Sequence, residues 1–185
     1  MRKGLIIVNL GTPEDCSVKS VRSYLKEFLS DARVITLPSV LRWLLVNCII
    51  LPTRPKQSAH AYKKIWQNNG SPLMINSNEL KQSLQIALED SYDVVLAMRY
   101  GKPSIKDALK TLENHNHISV LPLFPQYASA TTGSIIEHVF QLTKIKTTFP
   151  NLNIIRDFYH EPAFFKSQAA IIDKYLQEDD HLLLS

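Results

Sequence analysis

The sequence contains few cysteines and few glycines, and each shortage excludes a class of protein. Its 185 residues include 2 cysteines, Cys16 and Cys48. These lie far apart and form neither a Cys-x-x-Cys pair nor a cluster with histidine, so neither a disulfide framework nor a zinc knuckle is indicated. We interpret both as reduced thiols of a cytosolic protein. The 5 glycines exclude collagen-like chains and glycine-rich linkers.

The chain also lacks a strong excess of charge of either sign. It has 21 Lys and Arg against 17 Asp and Glu, a formal net charge of +4. This weakly basic balance, without a block of like charges, argues against a nucleic-acid partner and leaves an anionic small molecule open. Hydrophobic residues make up 45% and charged residues 21%, which excludes a disordered chain. The length fits one domain.

No apolar run is long enough to cross a membrane. Residues 1–8 imitate the start of a signal peptide, but the apolar stretch breaks at Asn9 and no small-residue cleavage pattern follows. Segment 37–51 begins close to Pro38, contains Arg42, and is shorter than the ~20 residues that a span needs. This segment is either a buried helix or an apolar lip that touches a membrane.

Short apolar runs alternate with helical patterns along the whole chain. Strands are predicted at residues 4–10, 92–97, 118–123, 153–158 and 181–185. Helices are predicted at residues 17–30, 40–51, 56–67, 76–89, 104–113, 133–146 and 162–178. This alternation predicts an α/β fold with a parallel, Rossmann-like sheet and flanking helices. Because a central strand normally leads into a loop, a strand at the very end suggests a truncated chain.

Single residues are expected to set several helix ends. Pro52 and Pro55 are predicted to separate the second helix from the third. Asn76 is predicted to cap the fourth helix, and Ser104 the fifth, because each is followed three residues later by an acidic residue.

In parallel sheets, ligands bind beyond the carboxyl ends of the strands. The segments that follow four predicted strands offer aromatic rings, amides, hydroxyls and an arginine, with few carboxylates. This lining suits a large, flat, partly apolar ligand with anionic groups, and it does not suit a cage for a hard metal ion. The usual nucleotide-binding fingerprints are absent.

Three features near the strand ends have two readings each. Residues 131–134, Thr-Thr-Gly-Ser, could hold a phosphate or carboxylate at a helix start, or could simply cap the helix. Arg99 follows a predicted strand and could bind an anion or form a structural salt bridge. His160 could titrate near neutral pH within a site or be solvated.

Five motifs stand in an order and at a spacing that match a known family. They are residues 8–13, 70–73, 98–101, 121–127 with 131–134, and 158–159 followed by Pro162. On these motifs the chain, over essentially its whole length, resembles the amino-terminal half of ferrochelatase. The resemblance implies two similar α/β lobes with a porphyrin cleft between them. Residues 1–185 would form the first lobe, apparently truncated, with a hydrophobic helical lip and without the second lobe.

The resemblance implies insertion of Fe(II) into protoporphyrin IX, or into coproporphyrin, during haem synthesis. Porphyrin and Fe²⁺ would be substrates, and no cofactor, metal ligand or nucleic-acid partner is expected in this part. The family's catalytic histidine follows the strand that residues 181–185 resemble, so the chain alone is expected to bind porphyrin at most. Cys16 and Cys48 do not match the cysteines that hold an iron–sulfur cluster in some members, so that cluster stays an open question.

The resemblance also implies six substrate-binding residues and no catalytic residue. The six candidates are Arg54, Tyr62, Ser71, Arg99, Tyr100 and Tyr127. Arginines and hydroxyls could fix the propionates of a porphyrin while aromatic rings flank its face. Leu10 stands where some relatives carry tyrosine, so it is not expected to ligate a metal.

The lip, residues 37–51, is expected to expose part of its apolar surface, which includes Leu41, Leu44, Leu45 and Ile49. Such a patch would favour self-association of the chain. It would also favour peripheral contact of this cytoplasmic protein with the inner membrane. Two alternative functions remain: a chelatase for another divalent metal, and a non-catalytic α/β module that binds an anionic ligand.

Overall fold

The chain forms a parallel sheet with helices on both faces. A computed structural model describes residues 2–144 and 150–176. The strands in these ranges are β1 (Lys3–Gly11), β2 (Tyr92–Tyr100), β3 (His117–Pro122) and β4 (Asn151–Ile154). They are all parallel, in the order β2-β1-β3-β4, which confirms the predicted α/β fold. The strand predicted at residues 181–185 lies outside the described residues.

Helices connect and cover these strands. They are α1 (Val18–Ser30), α2 (Ser39–Leu44), α3 (Leu51–Ile65), α4 (Pro72–Ala87), α5 (Ile105–Thr111), α6 (Ser134–Thr143) and α7 (Pro162–Tyr175). Two π-helical segments complete them: Leu45–Ile50 joins α2 to α3, and Ser129–Gly133 leads directly into α6.

The apolar sequence of β1 reflects its place in the middle of the sheet. Strands β2 and β3 pair with it on either side, so both of its faces are covered. Leu5 and Ile7 pack in one apolar cluster with α4, whereas Ile6 and Val8 pack in a second cluster with α5 and α6. The hydrophobic core is therefore split into two layers by the sheet.

The end of β1 lies unusually close to the end of β2. Gly11 has a φ of 119°, a conformation that favours glycine, and it pairs with Tyr100. A Cβ atom at this position would lie 1.9 Å from the carbonyl oxygen of Tyr100. Glycine is therefore required where the carboxyl ends of the two strands meet.

The predicted break at Pro52 and Pro55 is wrong. Helix α2, the π-helical segment and α3 continue one another as a helical column over residues 39–65. Pro52 lies in the first turn of α3, directly after the π-helical segment, and Pro55 is buried inside the helix. The wider π-helical turn just before them changes the hydrogen-bond register, which accommodates a proline that an unbroken α-helix would exclude.

The column is anchored along one stripe and exposed elsewhere. Its buried residues are Val46, Leu51, Pro55 and Ala59. Leu41 is 53% exposed, Leu44 43% and Ile49 60%, which confirms the predicted exposure of the lip. Within the two described ranges, no helix is long and apolar enough to cross a membrane.

Helix α4 begins earlier than predicted. Its cap is Ser71, whose side-chain oxygen accepts a hydrogen bond from the N–H of Met74 at 3.2 Å, and Pro72 follows at the first helical position. Asn76 therefore lies inside the helix and does not cap it. The predicted cap of α5 is confirmed, because Ser104 and Asp107 bond reciprocally at its start.

Two strand ends also differ from the prediction. β2 was predicted to end at residue 97, but its pairing with β1 continues to Tyr100, so Arg99 and Tyr100 lie within the strand. β4 was predicted at 153–158 and spans Asn151–Ile154, because its partner β3 ends at Pro122. In the described sheet β2 is the outer strand and pairs with the central strand β1, so the candidate site lies at the edge of the sheet.

Candidate functional site

A single carboxylate oxygen joins three candidate groups at the carboxyl end of β2. Oδ2 of Asp31 accepts hydrogen bonds from Nη2 of Arg99 at 2.7 Å and from the hydroxyl of Tyr100 at 2.8 Å. It also accepts one from the hydroxyl of Ser134, at the start of α6. Oδ1 of Asp31 accepts the backbone N–H of Arg33 at 2.7 Å. We call Asp31, Arg99, Tyr100 and Ser134 the Asp31 cluster.

The charges of the Asp31 cluster are largely removed from water. The side chain of Asp31 is 9% exposed and that of Arg99 is 14% exposed. Burial works to raise the pKa of Asp31, but hydrogen bonds from Ser134, Arg33 and Tyr100 and the charge of Arg99 outweigh it, so the pKa lies below its ordinary value. The cluster therefore contains an ion pair rather than a free arginine.

Arg99 makes two further contacts that orient it. Its Nε donates a hydrogen bond to Oγ of Ser134 at 2.7 Å, and its guanidinium carbon lies 4.5 Å from the centre of the Tyr100 ring. Of the two readings that the sequence left open, the described contacts correspond to the salt bridge. A role for Arg99 in binding substrate stays a prediction.

The ionisable groups around the cluster keep fixed protonation states near neutral pH. Burial raises the pKa of Tyr100 to about 12, and the hydrogen bond to Asp31 contributes in the same direction. The pKa of His138 is lowered by burial and by the charge of Arg99. Tyr100 is thus a hydrogen-bond donor near pH 7, and His138 is uncharged there.

Aromatic rings extend from the Asp31 cluster towards the helical column. The ring of Tyr100 meets Phe28 with centroids 5.1 Å apart, Phe28 stacks on Tyr24 at 6.0 Å, and Tyr24 meets Tyr62 edge-on at 6.5 Å. Trp66 follows at 6.2 Å from Tyr62. We call these five residues the aromatic wall. Tyr100 and Tyr24 are buried, whereas Phe28, Tyr62 and Trp66 are half-buried, so the latter three offer ring surface to a flat apolar ligand.

Tyr127 lies near the start of α6 and is held by different contacts. The guanidinium of Arg156 lies 4.6 Å from its ring centre, and the ring is 41% exposed. A Cβ atom on Gly133 would lie 2.9 Å from the Tyr127 hydroxyl oxygen and 3.1 Å from Nη1 of Arg33. The absence of a side chain at Gly133 therefore lets Tyr127 and Arg33 approach the helix start.

The predicted site residues are only partly brought together. Arg99 and Tyr100 belong to the Asp31 cluster, and Tyr62 is linked to them through the aromatic wall. Ser71 is buried as the cap of α4, and Arg54 is exposed on α3. Among the described residues, no hydrogen bond or ring contact joins Arg54 or Ser71 to the cluster, so their roles stay predictions.

The motif at residues 131–134 was predicted either to bind an anion or to cap a helix, and its hydroxyls do not cap α6. The cap position of α6 is Gly133, which has no side chain, so no hydroxyl caps that helix. Instead, the Ser134 hydroxyl bonds Asp31, and Oγ1 of Thr132 is buried without a hydrogen-bond partner. Anion binding by this motif stays a prediction.

A cavity of about 310 Å³ lies between the loop after β1 and α1, and Tyr24 and Gly101 contribute to its lining. Its charged lining consists of Glu14, Asp15, Glu27 and Lys19, so carboxylates outnumber cations. This lining does not favour an anionic ligand. In the described part of the chain, no group of His, Cys, Asp or Glu side chains is arranged to hold a metal ion.

Sequence reasoning missed Asp31, which holds the cluster together. It lies 68 residues from Arg99, and no local pattern pairs the two. The signal that could have indicated it is its position: Asp31 is the last acidic residue before Glu79.

Comparison with known proteins decides the family. The sequence model of ferrochelatase matches residues 2–185. This chain belongs to the ferrochelatase family.

Two relatives within that family show how much of a ferrochelatase the chain represents. A ferrochelatase of Legionella pneumophila (strain Corby) is 47% identical over 185 residues, which covers 100% of this chain and 56% of the relative. A ferrochelatase of Coxiella burnetii (strain Dugway 5J108-111) is 45% identical over 186 residues, covering 98% of this chain and 51% of the relative. The chain spans about half the length of the curated relatives it matches.

Proposed function

We propose that this chain is one lobe of a ferrochelatase and supplies one wall of the cleft in which ferrous iron enters a porphyrin. The observation that carries the proposal is the family match over residues 2–185. The Asp31 cluster and the aromatic wall support it, because they combine flat apolar rings with fixed polar groups at the carboxyl end of the sheet. Protoporphyrin IX or coproporphyrin is the substrate, and haem synthesis is the process.

The charge of the chain next to the aromatic wall suits an anionic ligand. Residues 32–78 contain no Asp or Glu. Their cations are Arg33, Arg42, Arg54, Lys56, Lys63 and Lys64. Arg33 is paired with Glu137, whereas Arg54, Lys56, Lys63 and Lys64 are exposed on α3, the helix that carries Tyr62. A porphyrin is a wide apolar disc with carboxylates at its edge, so it suits these exposed cations. In this arrangement Arg54, exposed on α3, is the predicted residue best suited to bind a propionate.

Metal insertion requires removal of two pyrrole protons and bending of the macrocycle. Near neutral pH Tyr100 is protonated and Asp31 is bound to Arg99, so neither is a free base. The described residues therefore supply orientation and shape, while the proton acceptor belongs to the part of the family pattern that residues 1–185 do not match. On this proposal, the chain by itself binds porphyrin weakly and inserts no iron.

The test is a chimera in which this chain replaces the matched part of the Legionella pneumophila ferrochelatase. Anaerobic Fe(II) insertion is followed by porphyrin absorbance for the chimera and for the chain alone. We expect turnover by the chimera and none above the uncatalysed rate for the chain. A folded but inert chimera, beside an active parent enzyme, would contradict the proposed function. Turnover by the chain alone would contradict the proposal that the proton acceptor lies outside residues 1–185.

The lip extends the proposal to peripheral contact with an anionic membrane. Trp43 and Ile49 are each 60% exposed and Val40 is 68% exposed, and they belong to the acid-free stretch 32–78, which contains Lys and Arg. Exposed apolar side chains flanked by cations bind the interface of bilayers that contain anionic lipids. Self-association through the lip is the competing use of the same surface.

Vesicle cosedimentation separates these two uses. We expect the chain to bind phosphatidylglycerol-containing vesicles more than phosphatidylcholine vesicles, and the double variant Leu41→Ser/Ile49→Ser to lose this binding. Ile86→Ser is the matched control, because Ile86 is 75% exposed on α4, outside the lip. A chain that ignores vesicles but forms a dimer that the lip variant dissociates, seen by ultracentrifugation, would favour self-association instead.

A further inference from the structure

We propose that Asp31 is a positioning residue for iron insertion, which holds Arg99 and Tyr100 in the orientation that the porphyrin wall requires. The inference rests on the proposed function and adds a residue to it. Asp31 itself is not proposed to touch the porphyrin or the iron.

The geometry makes Asp31 the junction of three elements. It follows the end of α1, and its oxygen Oδ2 receives donors from β2 and from α6. Its backbone N–H bonds the carbonyl of Phe28 at 3.4 Å, and its Oδ1 accepts the N–H of Arg33. The carboxylate therefore cannot shift without moving the end of α1 or losing several hydrogen bonds at once.

The same junction sets the place of an aromatic ring. Tyr100 is fully buried, its hydroxyl bonds Asp31, and its ring packs against Phe28. Because Phe28 and Asp31 belong to the same helix end, α1 controls both the hydroxyl and the face of Tyr100. A change at Asp31 should therefore displace the part of the aromatic wall nearest the sheet.

Asp31 also determines where the charge of Arg99 points. Nε and Nη2 of Arg99 are bonded to Ser134 and Asp31, and the side chain is 14% exposed. Without the carboxylate, a buried guanidinium would lack its counter-charge and would turn towards water. The site would then present a mobile cation in place of a fixed neutral pair, and substrate would be oriented less well.

The experiment compares Asp31→Asn with Asp93→Asn in the chimera. Asparagine has nearly the shape of aspartate, and Asp93 lies at the opposite end of β2, where it bonds Arg2 and His115. We expect Asp31→Asn to lower kcat about 10- to 100-fold with a smaller change in KM, since misplacement acts mainly on the reacting geometry. Asp93→Asn should leave both constants near wild type.

A second readout on the chain needs no porphyrin. Loss of the Asp31 charge should lower the pKa of Tyr100 from about 12, which ultraviolet absorbance of tyrosinate measures, with Tyr100→Phe identifying its contribution. Asp93→Asn should leave this titration unchanged. Asp31→Glu keeps a carboxylate and should fold even where Asp31→Asn does not, with an intermediate kcat.

The outcomes separate the two proposals. An active chimera in which Asp31→Asn and Asp31→Glu match the control in kcat would overturn the positioning role, even with a shifted Tyr100 titration, because Asp31 would then be only structural. An inert wild-type chimera would overturn the proposed function and the inference with it. An unchanged Tyr100 titration would overturn the contact on which the inference is built.

Discussion

An aspartate–arginine pair lies at each end of strand β2, and the two pairs differ in their exposure to solvent. At the carboxyl end, Asp31 and Arg99 are 9% and 14% exposed. At the amino end, Asp93 and Arg2 are 37% and 50% exposed, and His115 bonds the same carboxylate at 2.7 Å. Both pairs join a carboxylate to a guanidinium. Removing one partner of the buried pair leaves a charge without a counter-charge, whereas water can solvate the remaining partner of the exposed pair.

The largest expected effect comes from removing one carboxylate at each end. Asp31→Ala should lower the free energy of unfolding by about 3–5 kcal/mol, because it leaves a buried arginine without its partner. Asp93→Ala should have a much smaller effect, because Arg2 is half exposed and water can solvate its guanidinium once the carboxylate is removed. Urea unfolding of both variants measures the difference. Equal losses would show that burial does not distinguish the two ends.

A smaller effect is expected from Arg99→Lys, which keeps the charge and removes the planar fork. Lysine cannot bond Ser134 and Asp31 with the same geometry, so we expect a loss of about 1–3 kcal/mol in unfolding free energy. Thermal unfolding of the chain measures this loss, and kcat/KM of the chimera measures any loss of activity. An unchanged Tm with a lower kcat/KM would show that Arg99 acts on substrate and not through the cluster.

The smallest effect concerns pH, and it again singles out the carboxyl end. Burial and the charge of Arg99 hold the pKa of His138 below its ordinary value of 6.5, while Asp31 and Gln141 oppose the shift. As pH falls, His138 is therefore protonated in the unfolded chain before it is protonated in the folded chain. The contribution of neutral His138 to folding stability is fully present above pH 6.5 and is lost as pH falls through the folded-state pKa. The contribution of Asp31 is lost only below its ordinary value of 3.8.

His138→Gln should therefore flatten the fall of Tm in mild acid, between pH 6.5 and the range where carboxylates titrate. Measurements of Tm against pH test this, with His160→Gln as the control, because the side chain of His160 is 62% exposed. A wild-type Tm that does not change across that interval would contradict the expected role of His138.

Features that depend on neighbours in sequence were predictable, and features that depend on distant pairing were not. The cap of α5 rests on Ser104 and Asp107, three residues apart, and was predicted correctly. The length of β2 depends on Gly11, which pairs with Tyr100 from another strand. Asp31 meets Arg99 only after the sheet and α1 have packed. The order of motifs indicated the family without revealing this contact.

The helical column shows that a strong local signal in the sequence can also give a wrong prediction. Proline is a reliable local breaker, and Pro52 and Pro55 were therefore predicted to end a helix. The π-helical segment before them is not visible in residue spacing, and the burial of Pro55 within the fold outweighs the local preference. Tertiary packing can thus override a strong local signal.

The single anchoring stripe of the helical column has a consequence for protein engineering. Helix α3 is anchored to the rest of the fold through that stripe and through a hydrogen bond from Arg22 to the carbonyl of Leu51 at 2.8 Å. Leu41, Trp43 and Ile49 face away from it, so their replacement by polar residues removes little packing. A variant redesigned there would gain solubility at almost no cost in folding, and would be the better starting material for crystallisation.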